Sequence, residues 1–329
     1  MPPSPANPRI KPPALQPGDT VGIIAPASNI KREPLETGCE VLRQLGYKPF
    51  YFDSLLEKDI YFAGSAERRA RELDEMFMRD EVRAIICARG GYGANYLLDT
   101  LNLQRIATHP KIFVGYSDIT TLLTYILDST GLVTFHGPMV TKDFSHADGV
   151  DVRSWEAALT GTSEWALNIG SESGAKPLAA GSAEGILYGG CLSMLVASLG
   201  TPYEIQTAGT ILFVEDVATK PYQVDRMLMQ LKLAGKFADV HGIVFGEMLD
   251  CSPIKGQDYT LEEVVLRVIG DLGVPVAYGL RSGHVSRRNI TLPFGVRVAL
   301  TVSRTEGSLR ILESATMPGA VTARASKSR

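Results

Sequence analysis

The sequence predicts an α/β protein, with an N-terminal parallel-sheet domain in three layers followed by a smaller mixed α/β C-terminal domain. Three observations carry this. Short continuous apolar runs alternate with helical periodicity through the first half, the pattern of βα units whose strands are buried on both faces. The second half mixes apolar runs and helices with a late stretch of strand-like alternation. With 329 residues, 45% of them apolar and 21% charged, the chain has enough core for two domains.

Val21-Gly22-Ile23-Ile24-Ala25 reads as a buried strand, followed by a helix with Leu35, Cys39, Leu42 and Leu45 on one face and Gly46 as its stop. A second strand fits Pro49 to Phe52, and Ser65 stands where it can cap a helix carrying Ala66, Ala70, Leu73 and Phe77. The strand Ala84 to Ala88 leads through a glycine turn to a helix near Leu97. The strand Ile112-Phe113-Val114 then leads to a helix near Leu122 and Ile126.

From about Thr160 to Ser182 the chain is rich in Gly, Ser, Ala and Thr, and patterning is weak. This places the first domain at residues 1–165, a crossing at 166–184, the second domain at 185–315 and a frayed tail at 316–329. In the second domain, strands are expected at Ile211 to Val214 and Ile243 to Phe245, and helices at Tyr222 to Leu233 and Leu261 to Leu272. Thr260 and Glu263 form a capping box for the latter helix. Asn289 to Leu312 alternates like strands, with Pro293-Phe294-Gly295 as a turn.

Net charge is −3, so no broad attraction to nucleic acid or an anionic membrane is expected. No run of apolar residues is long enough for a membrane span, and the N-terminus lacks a signal-like apolar region. Four scattered Cys read as buried thiols, and no C-x-x-C or H-x-x-x-H spacing supports a metal. The expectation is a cytoplasmic enzyme without a cofactor.

Two glycine turns could carry chemistry. Gly115-Tyr116-Ser117-Asp118 joins a strand to a helix, where a serine stands clear of the sheet and helix N–H groups can stabilise an oxyanion. Local sequence alone favours a plain helix cap for Ser117 or Asp118. Arg89-Gly90-Gly91-Tyr92-Gly93 could present N–H groups to an anion, or could be an ordinary tight turn; it lacks the spacing of a nucleotide-binding loop. Both turns lie at the carboxyl edge of a parallel sheet, where such sheets place ligands.

A nucleophilic serine needs a base, and His109, His136, His146, His241 and His284 are the candidates. His136 and His284 sit near strand ends, but composition does not choose among the five. Glu215, at the end of an apolar run, could orient an imidazole or serve as a salt-bridge partner.

Together these segments resemble the LD-carboxypeptidase family of serine peptidases, which includes muramoyltetrapeptide carboxypeptidases and microcin-immunity peptidases. The resemblance runs from about Leu15 to Leu312. It rests on Leu15 to Thr20, Ala25 to Ser28, Arg89 to Gly93, Gly115 to Asp118, His136-Gly137-Pro138, Gly189-Gly190, Gly200 to Tyr203, Phe213 to Asp216 and Gly283-His284. It implies a triad of Ser117, Glu215 and His284, an oxyanion hole from the N–H groups of Gly91 and Asp118, and a homodimer. The implied substrate is a murein tetrapeptide that loses its terminal D-Ala during cell-wall recycling. Cys191 departs from the family, which commonly has Asn there. For the terminal carboxylate of a substrate, the Arg89 guanidinium is a candidate, with salt bridging as its alternative role. Two rival readings stand beside this one. A peptidase of a peptidyl-nucleotide antibiotic would favour an aromatic side chain for a base, with Trp155 and Trp165 as candidates or as packing residues. The other is a non-catalytic α/β ligand-binding module.

Overall fold

Five βα-type strands open the chain: β1 (Thr20–Ile24), β2 (Lys48–Phe50), β3 (Val82–Cys87), β4 (Ile112–Gly115) and β5 (Thr134–His136). Among them lie helices α1 (Arg32–Gln44), α2 (Ala66–Met78), α3 (Leu103–Thr108) and α4 (Thr120–Thr130), with α5 (Val152–Leu159) after β5. The structure, a computed structural model, describes residues 8–170, 173–253 and 255–317. β1, β3 and β4 are buried almost throughout, as a sheet covered on both faces requires. α1 turns Leu35, Gly38, Cys39 and Leu42 inward at helical spacing, and the Ser65 side chain caps α2 by accepting from the Arg68 N–H at 3.2 Å. The segment near Leu97 is a 3₁₀ stretch, Ala94–Thr100, rather than an α-helix.

The second half contributes β6 (Trp165–Ile169), β7 (Lys176–Ala179), β8 (Gly181–Cys191), α6 (Leu192–Ala197), β9 (Thr210–Glu215), α7 (Pro221–Leu233), β10 (Val240–Gly246), α8 (Leu261–Ile269), β11 (Val276–Leu280), β12 (Leu292–Phe294), β13 (Arg297–Val302) and β14 (Gly307–Ile311). Its sheet runs β6-β14-β13-β8-β9-β10-β11-β7. β8, β9, β10 and β11 are parallel and carry the core, while the outer pairs are antiparallel. Thr260 and Glu263 form the expected capping box of α8.

Three expectations are corrected. The stretch 166–184 is not a bare crossing: within it run most of β6, all of β7 and the start of β8. β6 and β7 are the two edges of the sheet, half exposed, so neither shows the continuous apolar run of a core strand. Pro293 and Phe294 do not make the turn, which falls at Gly295. They belong to β12, which pairs antiparallel with β5 and completes the first sheet in the order β12-β5-β4-β3-β1-β2. Proline is tolerated there because β12 is an edge strand. Lastly, residues 316 and 317 are not part of a frayed tail: the Met317 N–H donates to Pro12 O at 2.8 Å and Met317 O accepts from the Ala14 N–H at 3.0 Å. The remainder, 318–329, lies outside the described residues. All four Cys are free and buried, and among the described residues no helix is long and apolar enough to cross a membrane.

Candidate active site

β4 delivers the serine. After Gly115 the backbone is extended at Tyr116 and then enters the left-handed region at Ser117, with φ of 64°. A side chain in that conformation costs about 1 kcal/mol, a strain characteristic of sites where geometry is imposed. The 3₁₀ turn Ser117–Ile119 runs straight into α4. Neither start carries a side-chain cap, so Ser117 and Asp118 do not cap this helix. Asp118 instead accepts from the Ala94 N–H at 2.8 Å, tying the serine turn to the neighbouring glycine turn.

That second turn presses against the first. A Cβ at Gly90 would lie 2.8 Å from Ser117 Cβ and 2.9 Å from its Oγ, so only glycine fits. Gly91 follows with φ of 109°, and Ser28 holds the turn by accepting from the Tyr92 N–H at 3.1 Å. The Gly91 N–H itself donates to none of the described residues.

The second sheet delivers the other two groups. β9 ends at Glu215, fully buried, and the loop after β11 brings His284 onto it. One carboxylate oxygen, Oε2, lies 2.8 Å from His284 Nδ1 and also accepts from the His284 backbone N–H at 2.9 Å. Gly283 permits this approach, since a Cβ there would lie 2.6 Å from Glu215 Cδ. The carboxylate fixes the proton on Nδ1 and leaves Nε2 as a free base. Burial opposes both charges. Their mutual attraction still holds the Glu215 carboxyl below the usual range and raises the His284 imidazole.

Ser117 and His284 line one cleft of about 360 Å³ with Arg89, Gly90, Gly91, Lys31 and Lys142. Among the described residues three cations and no acid line this cleft, which suits an anionic ligand. Arg89 makes one long contact to the described residues, 3.4 Å to Asn29 O. Ser117 Oγ makes no hydrogen bond to His284; in free enzymes such contacts commonly tighten only when substrate binds.

The remaining histidines separate clearly. His109, His146 and His241 bond to nearby backbone carbonyls at the surface, whereas His136 is buried 3.8 Å from Glu215. Trp155 is fully buried against Phe144, a packing residue, and Trp165 lies on edge strand β6. Cys191 Sγ reaches Ser193 Oγ at 3.2 Å, and its backbone N–H donates to Thr120 Oγ1 at 3.0 Å. Cys191, Glu215 and His284 place potential metal ligands within 4.8 Å of one another, but burial keeps the thiol protonated and the other two are bonded together.

Three buried acids give the chain a pH signature. Burial pushes Asp118 and Asp143 up to about 6 and Asp128 to about 7. The folded chain therefore holds protons that the unfolded chain releases, and stability rises as pH falls from about 7 toward the unfolded value of 3.8. Raised His284 adds to this trend; lowered Glu215 and His136 oppose it. We expect a higher melting temperature at pH 5.5 than at pH 8 in calorimetry; the reverse order would show that these acids are ionised without penalty.

The two sheets bring a strained serine and an imidazole backed by a buried carboxylate to one cleft, an arrangement suited to hydrolysis. Residues 21–137 match the LD-carboxypeptidase N-terminal domain and residues 184–300 its C-terminal domain. The chain belongs to the LD-carboxypeptidase family. It is 40% identical to the "Probable murein peptide carboxypeptidase" of Bacillus subtilis, over 94% of this chain and 97% of that one. The muramoyltetrapeptide carboxypeptidase structure from Oxalobacter formigenes matches with a TM-score of 0.80 and 31% identity, covering 90% of this chain and 99% of that one. The wild-type structure of the microcin C7 self-immunity protein MccF matches at 0.85 and 27%, covering 94% and 100%. Membership of a peptidase family sets aside the non-catalytic module.

Proposed function

We propose that this chain is a serine carboxypeptidase that removes the terminal D-Ala of a murein tetrapeptide during cell-wall recycling, acting as a cytoplasmic homodimer. The observation that carries the reading is the double hydrogen bond from His284 to buried Glu215, set in the same cleft as the strained Ser117. His284 Nε2 takes the Ser117 proton as Oγ attacks the carbonyl before the D-residue. The Gly91 and Asp118 N–H groups receive the oxyanion, while Glu215 stabilises the imidazolium. The imidazolium then protonates the departing amine. Water, deprotonated by the same imidazole, hydrolyses the acyl-enzyme and frees Ser117. Arg89 meets the substrate's terminal carboxylate, with Lys31 and Lys142 adding to the positive field.

The structural likeness to MccF favours a second reading, cleavage of a peptidyl-nucleotide. Trp155 cannot take a base in its packed position, which weakens it. Incubation with murein tetrapeptide and, separately, with a peptidyl-nucleotide decides between them. Release of D-Ala from the first is expected. Turnover of the second alone would replace the proposal, and sedimentation of the same sample reads the dimer.

A further inference from the structure

His284 engages only one oxygen of Glu215. The other, Oε1, is buried and has no hydrogen-bond partner among the described residues. His136 Nε2 is also buried without one, and the two atoms lie 3.8 Å apart. That separation is within ion-pair reach, and a shift of about 1 Å would make it a hydrogen bond. The Cys191 thiol lies within 4.8 Å of a Glu215 oxygen but is engaged with Ser193 Oγ at 3.2 Å. Phe213 and Phe294 flank the His136 ring at 5.1 and 5.4 Å, and Tyr116 lies at 6.0 Å.

The other ring nitrogen sets out the states open to His136. His136 Nδ1 is 2.9 Å from Ser282 Oγ, which is in turn 2.8 Å from Ile290 O. The hydroxyl has one hydrogen to give. Given to Nδ1, it leaves His136 neutral with its proton on Nε2. Given to Ile290 O, it requires Nδ1 to donate, and a hydrogen on Nε2 then makes the ring an imidazolium. In both of these states an Nε2–H faces the carboxylate, whereas a hydroxyl bonded to Ile290 O also allows a neutral ring with its proton on Nδ1. The remaining state, a bare Nε2, sets two acceptors against each other in a dry space, which is costly. Burial disfavours the imidazolium, so the neutral Nε2–H form is the one held near neutral pH.

We propose that His136 is a positioning residue that donates from Nε2 to Glu215 Oε1 and so fixes the carboxylate on which His284 turns. It stands on β5, opposite Gly115 of β4 in register and opposite Leu292 of β12 on its other side. The contact therefore links the sheet that carries Ser117 to the strand that carries Glu215. This inference rests on the serine reading given above.

The test compares the wild type with His136→Phe and His136→Gln in the full chain. It uses labelling by a fluorophosphonate probe, kcat and KM on murein tetrapeptide, and imidazole NMR. His136→Phe should lose up to about 10²-fold in labelling rate and kcat at unchanged KM, the scale expected when a catalytic group is displaced. His136→Gln, whose amide can donate to Oε1, should recover most of that loss. In wild-type spectra the His136 nitrogen shifts should show Nε2 protonated and Nδ1 bare, and the His284 Nδ1–H resonance should move in His136→Phe.

A His136 tautomer with bare Nε2 overturns the inference without any variant having to fold. So do folded variants that label like a competent wild type, which leaves the serine reading intact. A wild type that never labels removes both.

Discussion

Ser117→Ala is expected to abolish D-Ala release, lowering turnover by about 10⁶-fold, the scale seen when a triad nucleophile is lost. The substitution removes one oxygen and leaves the cleft's cations in place, so tetrapeptide should still bind, which calorimetric titration can show. Ser117→Gly adds a second reading of the same position. At φ of 64° glycine is unstrained. The glycine variant should therefore be more stable than the alanine variant by about 1 kcal/mol and equally inactive. Equal D-Ala release by wild type and Ser117→Ala would remove the serine from the mechanism.

Glu215→Gln is expected to be the next most damaging change, with kcat reduced by about 10⁴-fold by analogy with loss of the triad carboxylate. The amide is nearly the size of the carboxylate, and its oxygen can still accept the His284 backbone N–H, so the fold should survive. What disappears is the charge that stabilises the imidazolium. That charge also raises the His284 pKa above 6.5. Activity of the wild type needs neutral His284, so it should fall as pH drops through that raised value. In Glu215→Gln the midpoint of the acid limb should move to lower pH. A variant retaining activity within tenfold, or an acid limb that stays put, would assign Glu215 a structural part only.

The first half of the fold was legible because its strands are buried on both faces. Runs such as Ala84 to Ala88 are continuous, and helix stops and caps such as Gly46 and Ser65 stand where chain geometry needs them. Edge strands were not legible. β6 and β7 bury little, and the Gly, Ser and Thr around them imitate a linker. β12 hid behind Pro293, because nothing local announces that three residues will join a sheet built more than 150 positions earlier.

The site divides along the same line. The strand-to-helix setting of Ser117 is written in adjacent residues, and so is the glycine turn beside it. Glu215 and His284 are 69 residues apart, and the pairing of β9 with β10 and β10 with β11 brings them together. No spacing rule encodes that meeting, and only the family resemblance pointed to it. His136 was one candidate base among five. Its place behind the carboxylate, rather than in front of the serine, follows from three-dimensional packing alone.

β12 also bears on how the protein is made. The edge of β5 next to the serine-bearing strand stays bare until Phe294 has been synthesised, nearly nine-tenths of the way along the chain. During translation the nascent first half presents an unpaired strand edge, the surface most prone to pair with another chain. The sheet that carries Ser117 thus stays open beside β5 until late in synthesis, and the three residues of β12 cover that edge.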